Sequence, residues 1–282
     1  MMKTIEFFDK VEPGKSGGKG KNLIELVKAF FPVPAGFIVT VDAYSQYKEK
    51  NKIPKEVEEK IVKCYNNLAK NIGNDRVAVR SSASAEDIDT ASFAGQYDSY
   101  LYVKGEDQII RKIVDCWNSL FTERAMVYRK RMNIPEDNLK MAVIVQTMIE
   151  PKSAGVLFTA NPFSGNKDVM IVESNWGCGE TVVSGRVTPD HFEISKKPYQ
   201  VITKNLGKKN ILILGSESGA LEESTSEEQR KSYSLTDEKL TELCEIGTKI
   251  ESHYGRPQDI EWALAKDDKI FILQSRAITK YV

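Results

Sequence analysis

Apolar residues change their spacing along this chain, and that change limits the fold more than any other feature. Up to about residue 132 they recur at helical spacing, as Val57, Ile61, Tyr65 and Leu68 do. Beyond it, short strand-like runs dominate, with one late helical stripe over 240–250. The predicted strands are residues 77–80, 99–103, 141–149, 155–159, 169–173, 211–214, 260–264 and 269–274. Clustered strands of this kind predict an α+β or α/β protein with antiparallel sheet.

The length of the chain predicts two lobes. Its 282 residues are about twice the usual size of one domain. A long apolar strand ends at residues 150–152, so we expect one lobe over residues 1–148 and a second over residues 149–282. The stretch 217–234 is polar and acidic, and we expect it to be a mobile, solvated loop, with a lid as the less favoured alternative.

The composition excludes several classes of partner. The chain has 40 Lys and Arg against 40 Asp and Glu, so it carries no net positive charge that would attract a nucleic acid or an anionic membrane. The four cysteines lie far apart without a CxxC pair, which is typical of reduced thiols and argues against structural zinc. No apolar run approaches the roughly 18 residues of a membrane span. We expect a cytoplasmic protein that binds neither nucleic acid nor membrane.

A glycine-rich segment, residues 14–22 (GKSGGKGKN), precedes the first predicted helix. It does not fit the pattern of a Walker A loop, because Gly20-Lys21 is followed by Asn22 and the earlier glycine position holds Lys15. Adjacent glycines, Lys19 and a helix start favour phosphate binding. A helix-entry turn explains the same residues equally well. The Gly-Cys-Gly-Glu segment at 177–180 fails the dinucleotide pattern, and a tight turn suffices for it.

A second polar cluster follows the strand over residues 77–80. This strand delivers Arg80 into a hydroxyl-rich, acidic segment that ends near Gly95. An arginine at this position is suited to hold a phosphate through two hydrogen bonds. The alternative is an ion pair of Arg80 with Glu86 or Asp87.

The C-terminal hairpin holds the third cluster. Asp259 and Glu261 are two apart on one predicted strand and share a face, as do Gln274 and Arg276 on its partner. If the register aligns them, oxygen ligands for Mg²⁺ and a guanidinium for a phosphoryl group converge. A surface salt bridge is the alternative.

The segments around these residues resemble the N-terminal nucleotide-binding domain of a dikinase family. That family includes phosphoenolpyruvate synthase (pyruvate, water dikinase), pyruvate phosphate dikinase and rifampicin phosphotransferase. The resemblance covers nearly the whole chain. It rests on the segments 16–23 (SGGKGKNL), 32–44, 77–101, 119–129 (SLFTERAMVYR), 143–149, 153–165 (SAGVLFTANPFSG), 175–190, 258–264 (QDIEWAL) and 271–279 (FILQSRAIT). The family often has proline after the arginine of QSR, where this chain has Ala277.

The resemblance implies an ATP-grasp fold with ATP between two lobes, and it implies a role for each matching residue. Lys19 and Arg80 match phosphate-binding positions, Gly95 and Ser99 the loop over the phosphates, and Gln146 a strand position near the adenine. The metal ligands implied for Mg²⁺ are Glu261 and Gln274. Arg276 matches a catalytic arginine, and Asp259 is a neighbouring carboxylate of the site.

The resemblance also implies the reaction of this family, which needs a second domain. A dikinase splits ATP to AMP and phosphate while a histidine on a separate carrier domain receives the β-phosphoryl group. The only histidines here, His191 and His253, lie in segments that match the nucleotide domain, so we expect neither to be the carrier. We therefore expect an ATP-dependent kinase module that needs a carrier-histidine domain and an acceptor-binding domain, in the same or another polypeptide.

Three other functions remain open at this stage. A related phosphotransferase for an antibiotic or a phenol has the same nucleotide chemistry. An ATP-grasp ligase that forms an acyl-phosphate releases ADP instead of AMP. A nucleotide sensor binds ATP without transferring a phosphoryl group.

Overall fold

The computed structural model describes residues 3–83, 87–88, 91–92, 97–132 and 139–278. The chain divides into two compact units, Met1–Met148 and Ile149–Val282. Both units combine helices with antiparallel sheet, which confirms the predicted α+β class. Within the described residues, no helix is long and apolar enough to cross a membrane.

The first unit is built on a five-stranded sheet with the strand order β1-β2-β7-β3-β6. All its strand pairs are antiparallel. Its strands are β1 (Ile5–Phe7), β2 (Gly36–Val39), β3 (Val77–Ala83), β6 (Ser99–Val103) and β7 (Met141–Thr147), with a separate two-stranded ribbon of β4 (Asp87–Ile88) and β5 (Ala91–Ser92). Its helices are α1 (Gly17–Lys28), α2 (Val41–Lys50), α3 (Lys55–Ile72), α4 (Glu106–Asn118) and α5 (Glu123–Arg131). Short 3₁₀ turns occupy Pro13–Lys15 and Ser119–Phe121.

Strand β7 is the centre of this unit, because all seven of its residues are buried. On one face, Val143 and Val145 join a core that also contains the apolar stripes of α3 and α4. On the other face, Ile144 packs with Leu23 and Ile24 of α1. Because both faces of β7 are buried, its sequence is a nearly continuous apolar run and does not alternate between apolar and polar residues.

The second unit is built on a six-stranded antiparallel sheet with the order β11-β10-β9-β8-β14-β15. Its strands are β8 (Pro151–Phe158), β9 (Val169–Trp176), β10 (Asp190–Ser195), β11 (Val201–Asn205), β14 (Gln258–Ala265) and β15 (Ile270–Ala277), and the hairpin of β12 (Ile211–Ser216) and β13 (Gly219–Ser224) forms a second, two-stranded sheet. The helices are α6 (Glu180–Val183), α7 (Glu227–Lys231) and α8 (Asp237–Tyr254). Gly247 of α8 approaches Leu157, so α8 covers one face of the sheet.

The prediction of a mobile loop over residues 217–234 was wrong. Part of this stretch forms β13, which pairs with β12 over its whole length. Another part forms α7, whose first turn is closed by a capping box between Ser226 and Gln229. The prediction relied on the lack of apolar residues. Strand pairing and helix capping, however, satisfy the backbone hydrogen bonds of this segment without burying many side chains.

A fully buried ion pair holds the middle of the second unit. Lys209 and Asp190 are both 0% exposed, with Nζ 2.5 Å from Oδ1. The other carboxylate oxygen of Asp190 accepts hydrogen bonds from the backbone N–H and the hydroxyl of Ser234, at 2.7 and 2.8 Å. The pair therefore ties β10 to the segments that precede β12 and α8.

Replacing Lys209 with Met should cost about 3–5 kcal/mol of unfolding free energy, because it leaves the carboxylate of Asp190 buried without its cation. Urea unfolding measures the change. Lys208→Met is the matched control, since its neighbour Lys208 is exposed and its loss should change stability by less than about 0.5 kcal/mol. Equal stability of the two variants would contradict the structural role of the pair.

Helix α1 ends with an aromatic residue where glycine is normal. Phe30 has a φ of 60° and is 96% exposed. Its N–H bonds the carbonyl of Val27, and the N–H of Phe31 bonds that of Leu26, which is the hydrogen-bond pattern of a Schellman cap. The left-handed conformation costs about 1–2 kcal/mol for a residue with a Cβ atom.

We expect Phe30→Gly to raise the free energy of unfolding by about 0.5–1 kcal/mol, after the greater entropy of glycine in the unfolded chain is deducted. Phe30→Ala separates backbone from side chain, because it removes the ring and keeps the Cβ atom. Chemical denaturation of both variants checks this. A gain with Ala as large as the gain with Gly would show that the backbone is not the cause.

Candidate functional site

The start of α1 is fastened to β3 through glycine and serine. A Cβ atom on Gly17, whose φ is +68°, would lie 2.0 Å from the carbonyl oxygen of Ser82. The N–H of Gly20 donates to the hydroxyl of Ser82 at 2.9 Å, and that hydroxyl donates to the carbonyl of Ser16 at 2.7 Å. The glycines of this segment thus permit close packing of the helix on the sheet, which favours the helix-entry interpretation for them.

This packing brings Lys19 next to β3. Its Nζ lies 3.4 Å from the backbone oxygen of Ser81, the residue that follows Arg80. Arg80 lies opposite Ser99 of β6 on one side and opposite Ile144 of β7 on the other. Residues opposite one another in register share a face, so Ser99 and Arg80 belong to the face that α1 covers.

Gln146 lies on that face as well. It is opposite Ala78, which is two residues before Arg80 on the same strand, so Gln146 and Arg80 are diagonal neighbours about 7–8 Å apart. Its side chain is buried, and Nε2 donates to the carbonyl of Pro34 at 3.2 Å. The structure therefore gathers four of the predicted residues, Lys19, Arg80, Ser99 and Gln146, at one face of the first sheet. Gly95, and the side chains of Glu86 and Asp87, lie outside the described residues.

In the second unit, the hairpin of β14 and β15 brings its four predicted residues onto one face. Asp259 is opposite Arg276, and Glu261 is opposite Gln274. The register shifts after Glu261, since Trp262 is opposite Ile272, which leaves Leu273 as a bulge. Without the bulge, Gln274 would share a face with Ile272, two residues away, under helix α8.

The two pairs differ in chemistry. Arg276 donates from Nε and Nη2 to Oδ2 of Asp259, at 2.8 and 2.6 Å. Burial raises the pKa of Asp259, although the Arg276 cation opposes this shift and Glu261 adds to it. The salt-bridge alternative therefore holds for this pair. Glu261 and Gln274 form the oxygen-bearing pair beside it.

The Glu261–Gln274 pair fits a hard cation. Gln274 is 6% exposed, and its Oε1 has no hydrogen-bond partner among the described residues. A buried oxygen without a partner costs about 1–3 kcal/mol of stability, and coordination of a metal ion by that oxygen would recover this cost. The described residues contain no group of three or more His, Cys, Asp or Glu side chains suited to a metal. A Mg²⁺ ion held by one carboxylate and one amide takes its remaining ligands from water and phosphate oxygens.

An apolar cluster next to this pair was missed by the sequence reasoning. Val156 lies opposite Glu261 on β8, and Phe158 lies opposite Asp259. Val156 packs with Val182 of α6 and with Val187. The alternation along β8 could have indicated it, because Val156 and Phe158 are two residues apart and share a face.

Neither histidine is a free nucleophile at this pair. His191 is on the same face, three strands from β14 through Glu173 and Val156. Its Nδ1 is 3.4 Å from Glu173 and its Nε2 is 3.8 Å from Glu193. The hydrogen bond with Glu173 and the two negative charges raise the pKa of His191. His253 is at the end of α8, with its ring against Tyr254.

This raised pKa predicts a pH dependence of stability. Protonated His191 stabilises the fold below its unfolded pKa of about 6.5, and the contribution is lost as pH rises through the higher folded pKa. The urea midpoint of the wild type should therefore fall between pH 6 and pH 8.5 relative to that of His191→Gln. Parallel profiles of the two proteins would mean that the carboxylates do not hold the imidazolium.

The chain is similar to a known domain family and to several curated relatives. Residues 49–281 match the family model described as the pyruvate phosphate dikinase AMP/ATP-binding domain. The chain is 36% identical to a probable phosphoenolpyruvate synthase of Methanothermobacter thermautotrophicus, over 99% of this chain and 46% of the relative. It is 34% identical to the phosphoenolpyruvate synthase of Pyrococcus furiosus, over 99% of this chain and 44% of the relative. An uncharacterized phosphotransferase of Bacillus subtilis, YvkC, is 38% identical, over 94% of this chain and 33% of the relative. The chain thus spans less than half the length of these relatives.

Solved structures similar to the chain include two enzymes with low sequence identity. One is the D-alanine-D-alanine ligase of Coxiella burnetii, with 11% identity and a TM-score of 0.42, covering 92% of this chain and 47% of that one. Another is the N5-carboxyaminoimidazole synthase of Aspergillus clavatus, with 8% identity and a TM-score of 0.40, over 94% of this chain and 45% of that one. The match to the family model covers most of the chain, and on that basis the chain belongs to the family of pyruvate phosphate dikinase AMP/ATP-binding domains.

Proposed function

We propose that this chain is the ATP-binding, phosphoryl-donating part of a phosphoenolpyruvate synthase-like dikinase with an ATP-grasp fold. The observation that carries the proposal is the pairing of Glu261 with Gln274 beside Arg276, in a chain that belongs to this family. The names of the curated relatives support phosphoenolpyruvate synthesis as the activity of the whole protein. The region beyond the match in those relatives has room for the carrier and acceptor domains.

In the first unit, the proposed work is to bind and orient the nucleotide. Lys19 and Arg80 would neutralise phosphate oxygens, and Ser99, next to Arg80, would donate a short hydrogen bond. Gln146 has an amide group already fixed to the carbonyl of Pro34, so its oxygen is held in a constant position for the adenine. Gly95 is proposed for the loop over the phosphates.

In the second unit, the proposed work is electrostatic. Glu261 and Gln274 would hold Mg²⁺, which when bound supplies positive charge to the phosphate oxygens. Asp259 fixes the guanidinium of Arg276, and the N–H groups of Arg276 that do not face Asp259 would stabilise charge on the transferring group. Buried Asp259 needs this cation, because burial raises the pKa of its carboxyl group.

The proposed reaction balances with a histidine from another domain or chain. The unprotonated ring nitrogen of the histidine bonds to the β-phosphorus and the other ring nitrogen loses its proton to solvent, while the bond from that phosphorus to the α,β-bridging oxygen breaks and AMP leaves. Water then attacks the γ-phosphorus, the bond from that phosphorus to the β,γ-bridging oxygen breaks, and phosphate is released. The β-phosphoryl group stays on the histidine for transfer to the final acceptor, which for the named relatives is expected to be pyruvate.

Two measurements test this function. The first is calorimetric titration of the chain with Mg-ATP, for which Glu261→Gln should weaken Mg²⁺-dependent binding by about tenfold or more, since it removes a charged metal ligand. Glu193→Gln is the control, because Glu193 lies on the same sheet face at β10, three strands from Glu261, and should leave binding unchanged.

The second measurement identifies the nucleotide product. An acceptor protein, defined as full-length Pyrococcus furiosus phosphoenolpyruvate synthase with its residue matching Glu261 changed to Ala, supplies the carrier histidine. The chain together with this acceptor protein should release AMP and phosphate from Mg-ATP. Release of ADP would contradict the proposal and favour a ligase-type or simple kinase reaction.

A further inference from the structure

The loop over residues 160–168, between β8 and β9, is folded into a fixed shape. Asn161 organises it: its Oδ1 accepts from the N–H groups of Phe163 and Ser164, at 2.9 and 3.0 Å. Its backbone N–H bonds the carbonyl of Asn166, and its own carbonyl accepts from Gly165, each at 2.9 Å. A loop closed by this many local hydrogen bonds holds its side chains in place before any partner arrives.

This fixed loop displays a large apolar side chain to solvent. Phe163 is 64% exposed, whereas Pro162 beside it is buried. An aromatic ring on a rigid backbone loses little conformational entropy on binding, since only two side-chain torsions remain to be fixed. Such residues are the common anchors of protein–protein interfaces.

The loop leaves the sheet at the same end of the strands at which Arg276 lies. Phe158, near the end of β8, is opposite Asp259, which is opposite Arg276. The next residue, Thr159, is tied to Gln258 by two hydrogen bonds of 2.9 Å, from backbone to backbone and from the N–H of Gln258 to the threonine hydroxyl. The loop therefore leaves the sheet two strand spacings, about 10 Å, from Arg276. Exposed Arg256 precedes β14 at the same end of the strands.

We propose that the loop over residues 160–168, with Phe163 as its anchor, is a docking element for the polypeptide that carries the phosphoryl-accepting histidine. This inference rests on the proposed function. The accepting group must approach Arg276, and the loop that displays Phe163 leaves β8 two strand spacings away, at the same end of the strands. The histidines of the described chain do not meet this need, because His191 is held between two glutamates on a distant strand.

The position of the loop also specifies the partner surface. An exposed ring on this loop fits an apolar recess, and the exposed cation of Arg256 at the same end of the strands fits a carboxylate on the border of that recess. The relatives hold more than half of their length outside the matched region, which is room for the polypeptide that this surface would meet.

The test measures transfer of ³²P from β-labelled ATP to the acceptor protein defined above. Phe163→Ala should lower the transfer rate at subsaturating acceptor by about tenfold or more, through a higher half-saturating acceptor concentration. Its affinity for Mg-ATP and its unfolding midpoint should match those of the wild type, because the ring is exposed. Ile202→Ala is the matched control, since Ile202 is 56% exposed on β11 at the opposite edge of the sheet, and it should transfer at the wild-type rate.

Each result has one meaning. Transfer by Phe163→Ala at the wild-type rate and half-saturation would overturn the docking role of the loop. A wild-type chain that binds Mg-ATP but labels no acceptor would also overturn it, while leaving the nucleotide-binding part of the proposed function in place. A wild-type chain that fails to bind Mg-ATP would overturn the proposed function itself.

Discussion

The candidate metal site depends on the register of one β-hairpin. Gln274 and Ile272 are two residues apart, so regular alternation would put both under helix α8. The bulge at Leu273 shifts the alternation of side chains between the two faces, so Gln274 lies opposite Glu261 while Ile272 stays opposite Trp262. One extra residue in the ladder thus keeps the apolar face intact and delivers an amide oxygen to a carboxylate. Bulges are often found beside functional sites for this reason.

In the first unit, helix packing rather than strand register brings the candidate residues together. Its candidate phosphate-binding residues come from a helix and from two strands, and they meet only because α1 lies directly against β3. Gly17 permits that approach, since any side chain would collide with the backbone of Ser82. The glycines therefore contribute to the candidate site through the position of Lys19, whether or not they touch a ligand.

The sequence could predict those parts of the structure that follow from local spacing. The helical stripes and the main strands follow from period and turn residues, whereas the pairing of Asp259 with Arg276 depends on the bulge. The bulge could not be predicted, because nothing in FILQSRA distinguishes a regular strand from a bulged one. The segment 217–234 was predicted wrongly, since its order comes from a strand partner and a capping box. Residue chemistry alone indicated Lys19, Arg80 and the hairpin cluster, and family resemblance added Gly95, Ser99 and Gln146; their roles are proposals.

The central claim is that Glu261 and Gln274 hold the magnesium of a bound nucleotide. The measurement that tests it most directly is a crystal structure of the chain with Mg²⁺ and a non-hydrolysable ATP analogue. The account predicts a metal ion about 2.0–2.1 Å from Oε1 of Gln274 and from a carboxylate oxygen of Glu261, with phosphate oxygens among its other ligands. A nucleotide-bound magnesium that contacts neither residue, with Oε1 of Gln274 hydrogen-bonded to protein, would contradict it.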